Sequence, residues 1–562
     1  MSRPADFPPP YRAGEFIAEP TDPVDARIEV GVLVVGAGPA GLACAIRFGQ
    51  LLAEDPETAE RLGDVPLAVV DKGKQPGSHL LSGAVVNPRS LRQLFGERGI
   101  DDMPSYGPVP DESVYVLTRQ KALPIPAPPT MRNHGNVIVS LSQLGRWLAE
   151  RAEEVGAMVL PETPAQKLLV ADGEVAGVRT GDKGQGVGGE ELGNFEPGND
   201  IVANVTVLAE GTQGHLTGVA IDHFDLRGHD PQVWELGVKE VWKVAKPLDR
   251  IIHTMGWPLR PQAKYREFGG SFIYPMGNDM LSIGMVVGLD HRDAALSVHD
   301  LLQELKTHPK IRPLLEGGER IEWGAKTIPG GGFHALPKRL HAPGLLLCGD
   351  GAGMVNIPTL KGVHYAIESG RLAAESAFAY VKHAEVDPTA LASYDEALRS
   401  SFIWKDLHEV RDMRHVFGRG FFVGAALAGA MSISKGRISV GKLRTEPDDA
   451  QPLLQTDRAE RYPVPDGKLT FDKLSSVFAA GNRTRDDQPN HIRLQQRVPR
   501  DVAELWAHMC PADVYAVGEE GDDGLVTVDV SPSNCVQCGA ISAKGGRLTP
   551  PEGGSGPEYN LT

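Results

Sequence analysis

Cysteine is scarce in this chain. Five in 562 residues is a small, odd number, which argues against a disulfide scaffold and suits a reducing compartment. A basic excess is also missing. The formal net charge is −16, so the electrostatic footprint of a nucleic-acid binder is absent. The N-terminal stretch MSRPADFPPPYRAGEF has no apolar core of the kind a secretory signal needs. No uncharged apolar run reaches the ~20 residues of a spanning helix. No nucleophile triad or paired carboxylates stand out. What remains is an ordinary globular composition, 41% hydrophobic and 23% charged, on a chain long enough for several domains.

The first informative segment is EVGVLVVGAGPAGLACAIRF, residues 29–48. Val30–Val35 is an apolar, β-branched run that suits a buried parallel strand. Gly36, Gly38 and Gly41 follow in the order G-x-G-x-x-G, and Leu42–Phe48 reads as a helix. Strand, tight turn and helix together are the context in which this motif binds a dinucleotide. Gly36 permits the turn, Gly38 admits a pyrophosphate, and Gly41, beside Ala40, lets helix and strand pack closely. A second strand, 65–70, ends in Asp71, an acid expected on the adenosine ribose. It comes 35 positions after Gly36 rather than ~20. The stretch 53–64 reads as the insertion responsible.

The fingerprint alone does not separate FAD from NAD; later segments do. Residues 201–211 form an apolar strand ending in Glu210-Gly211. Residues 344–353, GLLLCGDGAG, form another that ends in Gly349-Asp350 and runs on to Gly353. The stretch 361–375 has helical spacing. A late strand ending in Gly-Asp places its acid on a flavin ribitol, and the next helix points its positive end at the reduced ring. Helix capping is a second role open to Asp350. No second glycine fingerprint follows a strand, so NAD(P) is not expected. The small residues of GSHLLSGAVVNP (77–88), Ser82 and Gly83 among them, suit close backbone approach to a flavin.

After about residue 440, long periodic helices give way to Gly, Pro and Asp, as in a small module held by something other than a large core. Cys510 stands before a proline, and Cys535 and Cys538 form a C-x-x-C pair 25 positions later. Such a set grips an iron–sulfur cluster or, with a fourth ligand, zinc. Cys44 and Cys348 read as core residues. Residues 420–434, GFFVGAALAGAMSIS, are uncharged between Arg419 and Lys435. This stretch is too short to span a bilayer and suits either an interfacial helix or a buried one.

Long collinear stretches resemble the electron transfer flavoprotein–ubiquinone oxidoreductase family. Among them are VVGAGPAGLACAIR, NHGNVIVSL, AEGTQGHL, HTMGWPL, GGSFIYPM, NIPTLKGVHYAIESG, DQPNHIRL, CPADVYAV and NCVQC. The resemblance implies an α/β (α+β overall) architecture. Its parts are a discontinuous Rossmann-like FAD domain (25–130, 196–225, 330–410), a quinone-binding domain with an inserted hairpin (131–195, 226–329), a membrane-contacting segment (411–440) and a ferredoxin-like iron–sulfur domain (441–562). It implies FAD contacts at Gly36, Gly38, Ala40, Gly41, Asp71, Lys72, Ser82, Gly83, Gly211, Gly349, Asp350, Gly353 and Asn356. It puts quinone at Gly269 and Gly270 and iron on Cys510, Cys535 and Cys538. Electrons would pass from electron transfer flavoprotein to ubiquinone or menaquinone, at the inner membrane surface (cytoplasmic face in a bacterium, matrix face in a mitochondrion). His253 and His364 are candidate proton suppliers. One departure is plain: a fourth cysteine would fall on Ile541. The cluster expected from the resemblance is [4Fe–4S], with [3Fe–4S] as the alternative that Ile541 raises. A geranylgeranyl-reductase-like flavoprotein is the rival reading of the whole chain.

Overall fold

The computed structural model describes residues 1–21, 27–83, 85–277, 279–383, 390–438 and 445–562. Two sheets organise it. The first runs Ile17–Ala18, Ala165–Ala171, Glu174–Thr180, Asp200–Leu208, Arg27–Val35, Leu67–Val70, Met158–Leu160, with Leu345–Leu347 also paired to Asp200–Leu208. Its central strands are parallel, as expected of an apolar sheet covered on both faces. Val32, Leu33 and Val34 are fully buried, each worth about 1.5–3 kcal/mol relative to exposure. The helices Pro39–Glu54 and Val363–Val381 pack on this sheet and on each other. Both are rich in alanine and glycine, so their backbones come close: a Cβ on Gly370 would collide with Ala40 O. Cys44 and Cys348 are buried in this core.

The second sheet has seven strands, in the order Glu319–Pro329, Trp234–Lys243, Met280–Gly288, Gly269–Pro275, Arg250–Gly256, Asp111–Leu117, Ala122–Ile125. It is antiparallel except where Arg250–Gly256 meets Asp111–Leu117. The sheets redraw the domain limits read from the sequence. Residues 111–125, placed with the FAD part, pair into the second sheet. Residues 165–180, placed with the quinone part, pair into the first. The resemblance assigns contiguous stretches to parts, whereas strand pairing is long-range. A hairpin of Lys183–Gln185 against Glu191–Glu196 lies between Glu174–Thr180 and Asp200–Leu208, both strands of the first sheet rather than of the quinone part. The limits at 25, 440 and 441 lie outside the described residues.

The C-terminal part holds a small sheet of Arg497–Val498, Val526–Val530 and Tyr515–Glu520, with the helix Arg500–Met509 against it. Among the described residues it has no separate core. Trp506, Leu505, Val526 and Cys510 join Trp323, Leu236 and Ile283 of the second sheet in one apolar cluster. The expectation of a module held by something other than a large core is therefore corrected: it borrows the neighbouring sheet's core. The chain end is tied down as well. Asn560 N and Leu561 N donate to Glu322, and Tyr559 N donates to Ser78 O.

Candidate functional site

One cavity of about 660 Å³ runs between the two sheets. At one end lies the glycine turn. Gly36 has φ +108°, and a Cβ there would stand 2.5 Å from Ala209 O. A Cβ on Gly41 would collide with Gly36 O. The fold itself demands both glycines. Gly38 differs: its Cβ would meet nothing nearer than Leu80 Cδ2 at 3.7 Å, and the residue faces the cavity. Its smallness makes room for something other than protein. Gly38 also caps the Pro39–Glu54 helix with no side-chain hydrogen bond, so the helix N-terminus opens on the same space. Bare backbone N–H groups and a helix dipole suit a pyrophosphate.

Asp71, at the end of Leu67–Val70, accepts Ala37 N and Gly73 N, each at 2.7 Å. It clamps the turn while lining the cavity. Lys72, Ser82, Gly83, Gly211 and Asp350 line the cavity too. Asp350 lies beside the N-terminus of the Val363–Val381 helix, which is capped by Gly362 rather than by an acid. Burial pushes its carboxyl up to about 6. Gly349, Gly353, Gly41 and Asn356 stand behind the wall. Gly349 N donates to Ser369 Oγ at 3.0 Å. Asn356 accepts Thr359 N at 3.2 Å and shapes its own loop.

Farther along the cavity lie Gly269 and Gly270. Here too the sheet requires glycine, because a Cβ would collide with Val286 O at the first and stand 2.5 Å from Thr254 O at the second. The far wall is the helix Phe421–Ile433, with Phe421, Ala425 and Ala428 on the cavity. Its outer side is open: Phe422 is 71% exposed, Val423 50% and Ile433 81%. The buried-helix alternative for 420–434 is therefore overturned. No helix among the described residues is long and apolar enough to cross a membrane.

Beyond Asp71, Lys72 and Asp350, sequence reading missed the charged side chains in this cavity. Lys239, Lys326 and Lys361 line it along with Lys72. Burial lowers Lys239 to about 7 and Lys326 and Lys361 to about 8. Lys239 Nζ donates to Ser82 O at 2.9 Å and Lys326 Nζ to Gln537 O at 3.2 Å. A protein of net charge −16 thus gathers lysines along one cavity, although burial weakens the charge that each carries. Near Gly269, Glu235 sits 3.3 Å from Arg414 Nε. Asp290 also takes that guanidinium, at 3.1 Å, and has Arg266 besides. Asp290, although buried, is therefore held down to about 2 by Arg414 and Arg266. Glu235, whose burial outweighs its share of Arg414, is pushed up to about 7. The signal was a charge inside a buried strand: in WELGVKEVWK, Glu235 and Lys239 fall on the same face.

Burial disfavours the charged form of both histidines suggested as proton suppliers. His253 Nε2 pairs with Tyr274 Oη at 2.8 Å, and burial lowers it to about 3. His364 is buried against Phe402 and lowered to about 3 by the same cause.

Cys510, Cys535 and Cys538 surround a second, small cavity together with Ile541 and Leu548. All three thiols are buried. No three His, Cys, Asp or Glu side chains among the described residues converge to hold one metal ion. Three sulfurs spread around a cavity suit a cluster, in which each thiolate holds its own iron. Gln537 N donates to Cys535 Sγ at 3.4 Å. Backbone N–H groups of Ala540, Ala512 and Val514 likewise oppose the rise that burial imposes on Cys538 and Cys510. Amides aimed at sulfur stabilise thiolates in a dry pocket. Gly539 and Leu548 line both cavities, so the two share a wall.

The comparisons agree with this layout. Residues 234–328 match the ETF-QO ubiquinone-binding family model, and residues 467–560 match that of the electron transfer flavoprotein–ubiquinone oxidoreductase 4Fe-4S domain. The mitochondrial electron transfer flavoprotein–ubiquinone oxidoreductase of Oryza sativa subsp. japonica is 37% identical, covering 94% of this chain and 92% of its own. That of Rattus norvegicus is also 37% identical, covering 95% and 89%. The chain belongs to the electron transfer flavoprotein–ubiquinone oxidoreductase family. It is an oxidoreductase, and its cofactors are FAD and an iron–sulfur cluster. Among solved structures, a geranylgeranyl bacteriochlorophyll reductase-like protein from Thermoplasma acidophilum has a TM-score of 0.55 at 18% identity, covering 74% of this chain and 94% of that one. That likeness is one of fold alone.

Proposed function

We propose that this chain takes electrons from an electron transfer flavoprotein and delivers them to a membrane quinone, ubiquinone or menaquinone, through a single cavity. The observation that carries this is continuity. The cavity runs from the Gly36–Gly41 turn to Gly269 and Gly270, and the cysteine pocket backs onto it through Gly539 and Leu548. When bound, FAD supplies a carrier that exchanges one electron or two, while the cluster exchanges one.

The protein's own share is binding, orientation and protons. Gly38 and the helix behind it seat the pyrophosphate, with Asp71 holding the turn. Lys72, Lys239 and Lys326 lend positive potential, and the dipole of the Val363–Val381 helix favours negative charge near Asp350. Glu235 holds a proton near neutral pH beside the quinone end, where quinone reduction consumes protons. NAD(P) has no part in this scheme.

The outer side of Phe421–Ile433 rests on the membrane. Phe422, Val423 and Ile433 dip into the interface, and a hydrophobic quinone reaches Gly270 past Phe421 and Ala425. The chain then sits on an inner membrane as a monotopic protein, cytoplasmic in a bacterium and facing the matrix in a mitochondrion. Titrating photoreduced protein with a short-chain quinone tests the scheme. Stoichiometric flavin reoxidation is expected, and a flavin that stays reduced would reject it. Flotation with liposomes tests the membrane contact separately.

A further inference from the structure

A cubane iron takes three sulfides and one outside ligand. Cys510, Cys535 and Cys538 line this pocket, and at the sequence position where a fourth cysteine would fall stands Ile541, 3% exposed and also in the lining. Its branched side chain packs on Gly546, where a Cβ would meet Ile541 Cγ1 at 2.5 Å. Nothing nearby replaces the missing thiolate. Ser542 Oγ accepts Leu548 N at 3.0 Å, and Ser542 faces the large cavity rather than the small one. The other heteroatom side chains in the wall, Met509 and Tyr515, flank Cys510 in the sequence. Neither is part of the Cys538–Ile541 turn, although Tyr515 lies within electrostatic reach of all three cysteines. The rest of the wall is hydrocarbon and backbone, with Val536, Ala540 and Leu548 nearest in sequence to that turn. A water or hydroxide on a fourth iron would want two or more polar partners, and this corner offers hydrocarbon.

We infer that this pocket holds a [3Fe–4S] cluster, each iron on one of Cys510, Cys535 and Cys538, with Ile541 closing the corner that a fourth iron would occupy. The inference rests on reading residues 467–560 as an iron–sulfur domain, and it departs from that domain's usual cluster. The cluster remains a one-electron carrier, and the one cysteine-to-isoleucine difference sets its nuclearity.

The test uses the full chain, purified anaerobically. Iron and sulfide analysis is combined with EPR of oxidised and dithionite-reduced samples, and with Mössbauer spectra of protein reconstituted with iron-57. Three irons per FAD and a signal in the oxidised state that disappears on reduction are expected. Four irons, with an EPR-silent oxidised state and a reduced-state signal, would overturn the inference and leave the functional reading intact. Little iron even after reconstitution would overturn both. Ile541→Cys provides an internal control, expected to raise the count from three to four and move the signal to the reduced state. If Ile541→Cys keeps three irons and the oxidised-state signal, the assignment of the vacant corner to position 541 fails. Tyr515→Phe and Met509→Leu are expected to leave the wild-type spectrum in place. Loss of the oxidised-state signal in either would show that its side chain is a ligand, and would overturn the three-cysteine assignment.

Discussion

The large cavity is walled by glycine turns, a few charged side chains and many apolar ones, and the small one by sulfur and hydrocarbon. In the first, a ligand is recognised by shape and potential, so many residues share the task and few are individually indispensable. In the second, three side chains carry the bonds, and each is indispensable. Site-by-site substitution should therefore behave differently in the two places.

The largest effect is expected in the small cavity. Cys535→Ser should abolish nearly all bound iron, seen in an iron assay. A serine hydroxyl buried without a partner should also cost about 1–3 kcal/mol in a denaturation curve. Bound FAD should fall by less than iron, because only part of its wall is disturbed. Equal loss of both would erase the contrast. In the large cavity, Gly38→Val should raise the FAD dissociation constant ~100-fold, or about 2.7 kcal/mol, while apoprotein stability changes by less than ~0.5 kcal/mol. Gly41→Val is the matching control. Its Cβ meets Gly36 O, so it should destabilise the apoprotein itself by about 1–3 kcal/mol.

A smaller effect is expected at the exposed end. Phe422→Ser should weaken liposome binding ~10-fold or more, as loss of one buried aromatic side chain implies, with the melting curve nearly unchanged. Glu235→Gln should have the mildest effect, slowing quinone reduction several-fold at neutral pH and flattening its pH profile between about 6 and 8. Stability should report the same group. Glu235 binds its proton more tightly folded, at about 7, than unfolded, near the ordinary 4.5. The folded state is thus favoured at low pH, and this contribution is lost as pH rises from about 4.5 through about 7. Glu235→Gln should remove that downward slope, which melting temperatures measured across this range would check.

Local chemistry was legible in the sequence. A strand, a glycine turn and a helix are consecutive, so VVGAGPAGLACAIR declared a nucleotide site without any knowledge of the fold. Cys535 and Cys538 declared themselves by spacing. Long-range pairing was not legible. Nothing in DESVYVL says that it pairs with Arg250–Gly256 rather than with the nearer parallel sheet. Nor does Trp506 announce that it shares a core with Trp323. The cationic lining was hidden for the same reason, since Lys72, Lys239, Lys326 and Lys361 meet only after both sheets have formed. His253 and His364 looked suited to proton transfer by residue type, but burial decides a histidine's charge and a sequence does not show burial.

Gly539 and Leu548 are wall to both cavities, and this bears on how the protein matures. The loop that closes around the cluster is also one side of the flavin's seat. That side is held by Gln213 Nε2 on Gly539 O, Thr327 N on Cys538 O, Lys326 Nζ on Gln537 O and the pairing of Leu548 with Ile492. Metal supply therefore bears on flavin retention during biogenesis without deciding it: in iron-starved cells the chain should accumulate without iron and with a smaller loss of FAD, and iron should restore both.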